Sequence, residues 1–322
     1  MIYFLLGGET YSNWVVLAGT FCTLLITFCA TLIGKDKLPA DHGRDFAVNG
    51  QASKGKPRGA GIIFILCFVL NVLLFVPFKV EYAIYLLLVT VAMFTGFFDD
   101  ASKKPWGELK KGLLDFVISV ALAVTYLYFN DNEIFIPFMQ QKVAIPVVLY
   151  GALIVILAWA SINVTNCADG VDGLCACLSS ITLLSICMIC RDFATDKTYG
   201  QIILFMIAAL LAYLWFNVSP SIILMGDAGS RAVGLFIAIS MIKSCHPILY
   251  IPVALVLILD GGLGLVKLTV RRVFKSKKFM ENLRTPIHDH MRKNKGWSDT
   301  QVVIRLVLIQ AVISAIVLIC LK

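Results

Sequence analysis

Ten mostly apolar runs leave this chain few ways to fold. They lie at roughly 14–34, 59–78, 82–98, 112–129, 144–162, 173–190, 200–216, 229–243, 247–270 and 301–321. A helix needs about 20 such residues to cross a bilayer. In lipid every backbone N–H and C=O must be satisfied within the segment or within a closed barrel. The alternating pattern of a membrane barrel is absent, so the expectation is an all-α integral membrane protein of about ten transmembrane helices. The run at 229–243 is the weakest of the ten, being short and opening on polar residues. With 59% hydrophobic and only 15% charged residues, neither a disordered chain nor an ordinary soluble domain fits. Residues 1–322 read as a single polytopic membrane domain without repeats or linkers.

The placement of Lys and Arg orients the bundle. Of the 28 basic residues, all but Lys79, Lys142, Arg191, Lys197, Lys243 and Lys322 fall in the odd-numbered connections or at the helix ends beside them. Those connections, at about 35–58, 99–111, 163–172, 217–229 and 271–300, are therefore expected in the cytoplasm, with both termini outside. The net charge of +8 follows mostly from this topology, so no nucleic-acid partner is implied. The first run lacks a basic leader and a small-residue cleavage site, and reads as a permanent helix. Nine of the ten cysteines lie within or at the ends of apolar runs, and Cys167 lies in a polar motif; neither a disulfide framework nor a zinc site is expected.

Nearly every unusual polar residue sits in an odd loop. In the first loop, Lys54 beside Gly55 suits an anion, because glycine lets backbone approach a ligand; topogenic charge explains the same residues equally well. In GFFDDASKKPWGELKKG, Asp99 and Asp100 end an apolar helix, where the helix dipole disfavours negative charge. Adjacent carboxylates there need a raised pKa or a cation, either Lys103 and Lys104 or a hard metal such as magnesium, which takes one or two carboxylates plus substrate phosphates. In NVTNCADGVDGL, residues Asn163, Asn166, Asp169 and Asp172 recur every three positions, and a helical turn would gather them on one face. Asp172 also stands where it could cap the next helix.

The seventh loop holds Asn217 and then MGDAGS, in which Gly226, Asp227 and Ser230 open a helix. Exposed amides at such an N-terminus bind phosphate readily, and Asp227 is placed to bridge through a metal. The ninth loop carries His288 and His290, two apart in what reads as an extended segment. They are poor metal ligands without a third His or Cys, but good donors to a diphosphate, helped by Arg292 and Lys293. Asp260, read as the one carboxylate inside a span, is a further candidate because intramembrane acids usually mark function; Gly261, Gly262 and Gly264 would let its helix bend. Such a face suits magnesium-assisted transfer of a phosphorylated group from a soluble donor to a lipid phosphate.

In this order and on these loops, GFFDD, NVTNCADGVDGL, MGDAGS and PIHDHMRKNKGWSDTQVVIR resemble the polyprenyl-phosphate N-acetylhexosamine-1-phosphate transferases. The last motif is most similar to their bacterial phospho-N-acetylmuramoyl-pentapeptide transferase branch. The similarity runs from about Lys35 to Arg305. It implies a multi-pass protein of the bacterial cytoplasmic membrane. It also implies transfer of phospho-MurNAc-pentapeptide from a UDP-sugar donor to undecaprenyl phosphate, giving lipid I and UMP, with Mg2+ as cofactor and a homodimer as a further partner state. Carried over by motif, Asp99 and Asp100 match the paired acids and Asp227 the third, a magnesium ligand. Asp100 would help hold that metal, and Asn166 would lie beside it. Asp169, Gly170 and Asp172 would line the nucleoside pocket, with Lys54 and Asn217 close to the uridine; Asn163, Gly226 and Ser230 belong to the same donor-binding group. His288 and His290 match the outer members of a His-rich motif near the phosphates.

Three positions depart from that pattern. Asp289 replaces a middle His, and Leu224 stands where many members stack a Phe on uracil. KGKPRGAG replaces KxGTPTMGG, so Lys56 competes with Lys54 for the same role. Asp99 has two possible roles, in direct displacement by the lipid phosphate or in a two-step route through a phospho-enzyme; the anionic lipid phosphate needs little activation, which favours the first. The rival within the class is a GlcNAc-1-phosphate transferase of teichoic acid or surface polysaccharide synthesis. The rival outside it is a transporter or lipid flippase, which calls for paired polar residues near mid-bilayer.

Overall fold

The computed structural model describes residues 13–41, 43, 53–194, 196, 198–275 and 278–321. Residues 1–12 and 322, at the termini expected outside the membrane, and residues 42 and 44–52 of the first loop therefore fall outside the described residues.

Each expected apolar run is helical. The helices are α1 (Asn13–Gly34), α2 (Gly61–Phe75), α3 (Val80–Asp100), α4 (Glu108–Phe129), α5 (Val147–Ala168), α6 (Leu174–Phe193), α7 (Tyr199–Asn217) and α8 (Gly226–Lys243). After them come the bent pair α9 (Pro247–Val253) and α10 (Leu255–Val273), then α11 (Ile287–Lys295) and α12 (Asp299–Cys320). Among the described residues, seven helices are long and apolar enough to cross a membrane, or eight if α9 and α10 count as one span broken by 70°. The apolar helix α2 is shorter than a span at 15 residues, and α8 carries Asp227, Arg231 and Lys243.

The bundle is mostly helical, as expected, with one small addition. Between α4 and α5, strands β1 (Glu133–Ile136) and β2 (Gln141–Ala144) form an antiparallel hairpin. Its Phe135 N–H donates to the Cys245 carbonyl at 3.0 Å, tying the hairpin to the far end of α8. Outside the bilayer a short strand pair can satisfy its open edge with water, which lipid would not allow.

Helix α8 forms the centre, packed against α3 and α5 and also touching α2 and α6. Every one of its side chains is buried. By contrast, α1 and α12 turn large apolar side chains outward, among them Phe21, Ile33, Leu308 and Ile319. The outer helices so supply the lipid-facing apolar surface, and α8 is free to be more polar. Helix α12 starts on a complete capping box, in which Ser298 accepts from the Gln301 N–H and Gln301 returns the bond.

The break between α9 and α10 leads into a π-helical turn at Ile258–Gly262. That turn buries Asp260 at 1% exposure, and π turns of this kind widen a helix locally and re-aim its side chains.

Candidate active site

The odd-numbered loops meet at the end of the bundle where α3 finishes and α4, α6 and α8 begin. Backbone bonds join the first and seventh loops: the Leu224 N–H donates to the Pro57 carbonyl at 2.8 Å, and the Ala60 N–H to the Leu224 carbonyl at 3.1 Å. The fifth and seventh loops are joined through two side chains. Asn217 accepts from the Gly173 N–H at 2.8 Å and donates to the Ile223 carbonyl at 2.8 Å. Asp172 accepts from the Ser221 N–H at 3.0 Å.

Four carboxylates gather around this junction. Asp100 accepts from the first-turn N–H groups of α8, Asp227 at 3.1 Å and Ala228 at 3.0 Å. The amides expected to wait for a phosphate are thus already matched to a carboxylate, the charge a helix N-terminus favours. Gly226 makes this approach possible. Its φ is +71°, and a Cβ there would lie 2.3 Å from Asp100 Oδ2. Asp99 accepts from the Trp106 N–H at 2.6 Å.

Two cations hold the group together, and neither is Lys103 or Lys104. Arg58 reaches three acids at once: Nε to Asp100 Oδ1 at 2.7 Å, Nη1 to Asp41 Oδ1 at 2.9 Å and Nη2 to Asp227 Oδ1 at 3.3 Å. Lys111 pairs with Asp99 and, at 2.8 Å, with Asp227 Oδ2. Burial works against the Arg58 charge, but Asp100 and Asp227 outweigh it and hold its pKa above the ordinary arginine value. Burial also works against the Asp41 charge, yet Ser53 and Arg58 hold that carboxyl below its usual range.

Four carboxylates against two side-chain cations leave two negative charges unmatched, the charge of one divalent cation. Among the described residues no three His, Cys, Asp or Glu side chains form a ready-made metal cage. Magnesium does not require one, since it keeps several waters and binds through one or two carboxylates plus substrate phosphates. Asp100 and Asp227 fit that role. Asn166 donates to Ser230 Oγ at 2.9 Å, and Ser230 donates to the Gly226 carbonyl at 3.0 Å, which holds both beside the first turn of α8.

On the neighbouring wall, His288 is 2% exposed and held twice by Asp260. Its backbone N–H donates to Oδ1 at 2.7 Å, and its Nδ1 lies 2.8 Å from Oδ2. The Nε2 edge is left against Gly170, where a Cβ would lie 2.3 Å from Nε2. His288 and His290 belong to α11 and not to an extended segment. His290 is turned aside, accepting from the Arg284 N–H at 3.3 Å. Arg292 pairs with Asp299 at 2.7 Å, away from the carboxylates.

Other expected placements change as well. Helix α5 runs through Asn163 and Asn166 to Ala168, and Asp169 is its C-cap. Asn163 bonds back to the Trp159 carbonyl at 2.8 Å and does not join the cluster. Asp172 does not cap α6; Gly173 does, at a φ of +84°. Lys54 is exposed, whereas Lys56 donates to Ser221 Oγ at 3.1 Å, beside Asp172. Leu224 contributes backbone at the seam of the first and seventh loops.

Sequence reasoning passed over Arg58, Lys111 and Asp41 in their cation-rich surroundings. It also treated Asp260 as the one carboxylate inside a span. Asp115 lies within α4, one turn after Lys111, and pairs at 2.5 Å with the fully buried Arg231, one turn after Asp227. A lone Asp and a lone Arg in two apolar runs was the available signal.

Residues 82–245 match the family model described as glycosyl transferase family 4. A phospho-N-acetylmuramoyl-pentapeptide-transferase of Treponema pallidum is 39% identical over 295 residues, covering 86% of this chain and 81% of that protein. The protein of the same description from Helicobacter acinonychis is 28% identical, over 94% and 91% of the two chains. That of Campylobacter curvus is 26% identical, over 100% and 98%.

Proposed function

As the chain belongs to the phospho-N-acetylmuramoyl-pentapeptide transferases, within glycosyl transferase family 4, we propose that Asp99, Asp100 and Asp227 form the centre at which it carries out their reaction. It is a bacterial membrane transferase of peptidoglycan precursor synthesis. It transfers phospho-MurNAc-pentapeptide from UDP-MurNAc-pentapeptide to undecaprenyl phosphate, giving lipid I and UMP. The observation that carries the assignment of the site is the convergence of three acids from two distant motifs on Arg58 and Lys111.

The chemical difficulty is to bring two phosphorylated anions together and stabilise the departing one. Asp100 and Asp227, beside Asn166, would hold magnesium, which would supply the neutralising charge. Lys111 and Arg58 add fixed positive charge at the same place. In our reading an oxygen of the lipid phosphate attacks the donor β-phosphorus directly. The bond from that phosphorus to the bridging oxygen breaks, and UMP leaves with the electron pair. Asp99, held by the Trp106 N–H and Lys111, faces the acceptor phosphate and accepts its proton when that phosphate arrives protonated. Asp260 fixes the ring of His288, whose Nε2 edge, packed on Gly170 and 3.8 Å from Asp289 Oδ1, serves the diphosphate in this reading. Lys56, Gly170, Asp172 and Asn217 frame the nucleoside, with Leu224 at its edge.

The odd loops lie on the cytoplasmic side in this reading, because UDP-linked donors are cytoplasmic and the odd loops carry most of the basic residues. The helices then form ten spans of the cytoplasmic membrane, with α9 and α10 as one broken span. A transporter fits less well. It calls for polar pairs near mid-bilayer, whereas Asp115 with Arg231 lies one turn from the Asp227 end of α8 and Glu81 with Lys243 lies at the opposite end.

Asp260→Asn tests the wall opposite. An amide cannot accept from both the backbone and the ring of His288, so turnover falls about tenfold to a hundredfold, as for other carboxylates that orient a functional histidine. Normal turnover in a folded variant contradicts the role given to Asp260.

The reaction itself is tested with detergent-solubilised protein, undecaprenyl phosphate, magnesium and either UDP-MurNAc-pentapeptide or UDP-N-acetylglucosamine. The lipid product is read by mass spectrometry, together with UMP release. MurNAc-pentapeptide on the lipid, formed only with magnesium, is the expected result. A GlcNAc product keeps the centre but moves the chain to other envelope polymers. No UMP from either donor, with folded protein, overturns the assignment.

A further inference from the structure

Arg58 stands where a cation shared by Asp100 and Asp227 would stand. Its Nε and Nη2 engage the Oδ1 atoms of those two acids, at 2.7 and 3.3 Å. Asp100 Oδ2 is committed to the Ala228 N–H, and Asp227 Oδ2 to Lys111. Asp100 Oδ1 also accepts from the Asp227 N–H at 3.1 Å, and the Oδ1 pair is the face that both carboxylates share on Arg58. Magnesium binds oxygen at about 2.0–2.1 Å, and a guanidinium lying across the same two oxygens leaves no room for it.

The backbone of Arg58 cannot give way, because the bonds of Pro57 and Ala60 to Leu224 pin it on both sides. The side chain can. It is 18% exposed, and its third partner, Asp41, belongs to the first loop and not to α8. Asp41 is itself anchored by Ser53 Oγ at 2.7 Å and the Gly43 N–H at 3.1 Å. The guanidinium can therefore pivot on Asp41 without leaving the site.

We propose that Arg58 is a built-in counter-ion of the carboxylate pair, yielding Asp100 and Asp227 to a divalent cation and turning its fork toward the diphosphate of the donor. This rests on the function proposed above for the same centre. The planar guanidinium suits two oxygens of a phosphate. In the empty site it screens acids that would otherwise repel one another. It also makes cation and donor help each other to bind, since each favours the displaced position of Arg58.

The probe is Mn2+, whose binding is followed by electron paramagnetic resonance and by calorimetry on the full chain in detergent. Wild type, Arg58→Gln and Arg58→Lys are compared with and without UDP-MurNAc-pentapeptide, and Asp227→Asn defines binding at the site. Arg58→Gln is expected to bind Mn2+ at least about fivefold more tightly without donor, the lower end of ordinary coupling between sites. Its donor affinity falls by a similar factor, and the help that donor gives to Mn2+ binding shrinks. Arg58→Lys keeps the charge but loses the fork, and falls between. Mn2+ affinity that is unchanged or weaker in Arg58→Gln overturns the proposal, as does donor-independent tightening with unaltered donor affinity. Should Arg58→Gln fail to fold by thermal melting, Arg58→Lys decides by the same two comparisons. The donor-free cation comparison needs no turnover. It reads the counter-ion role even if no lipid product forms, whereas such a failure would count against the proposed function.

Discussion

Asp227→Asn is expected to lower turnover by at least about 10²-fold, the scale seen when one preorganised electrostatic group is lost from a catalytic site. The substitution is nearly isosteric and removes one negative charge from a cluster balanced by Arg58 and Lys111. Lys111 keeps Asp99 and Arg58 keeps Asp100 and Asp41, so the loops remain joined. What is lost is the second carboxylate of the pair that takes the cation. UMP release at saturating donor and acceptor, with thermal unfolding as the control for folding, is the measurement. A rate near that of the unaltered protein, in a folded variant, removes Asp227 from the centre.

Gly226→Ala acts on the same centre through geometry alone. The left-handed backbone costs a residue with a Cβ about 1–3 kcal/mol, and the new carbon would lie 2.3 Å from Asp100 Oδ2 and 2.9 Å from the Gly59 nitrogen. Asp100 must retreat from the first turn of α8, which breaks its alignment with Asp227. A displacement of about 1 Å in a reacting constellation can cost about 10²-fold. The expected result is a loss of that order in turnover, with a lowered melting temperature. Gly112→Ala, where a Cβ meets nothing within 4 Å, serves as the control and leaves turnover unchanged. Equal rates in both variants would mean that the contact of Asp100 with α8 is not needed for reaction.

Asp99, Asp100 and Asp227 were legible because each is out of place by a local rule: two acids at the wrong end of an apolar helix, and one in a glycine-rich start. Arg58 was not, because it stands among basic residues that topology alone explains, and nothing local points to acids 42 and 169 positions away. The role of Asp172 was misjudged for the same reason. A cap is a local expectation, but its carboxylate is taken by Ser221, in another loop. The His288 and His290 segment was read by spacing alone, and the helix of α11 instead separates a buried ring from one turned aside. The β1–β2 hairpin follows a weak signal, four-residue strands of mixed polarity around Pro137, which an apolar search passes over. Helices survive such reading because each closes its own hydrogen bonds. A site assembled from five loops does not, since its contacts are tertiary.

The complete burial of α8 also bears on how the protein is made. A charged side chain at mid-bilayer costs a nascent helix about 2.5–3.5 kcal/mol, and α8 contains Asp227, Arg231 and Lys243 in 18 residues. Left to partition by itself from the ribosomal exit into lipid, such a segment would be a poor candidate to enter. Its neutralising partners come earlier in translation: Glu81 on α3 and Asp115 on α4 precede α8 by more than a hundred residues. They are in the bilayer before Arg231 and Lys243 emerge. Helix α8 then enters a sleeve that its partners have already formed, ahead of α9 to α12, and Asp227 meets Lys111 and Arg58 at that step.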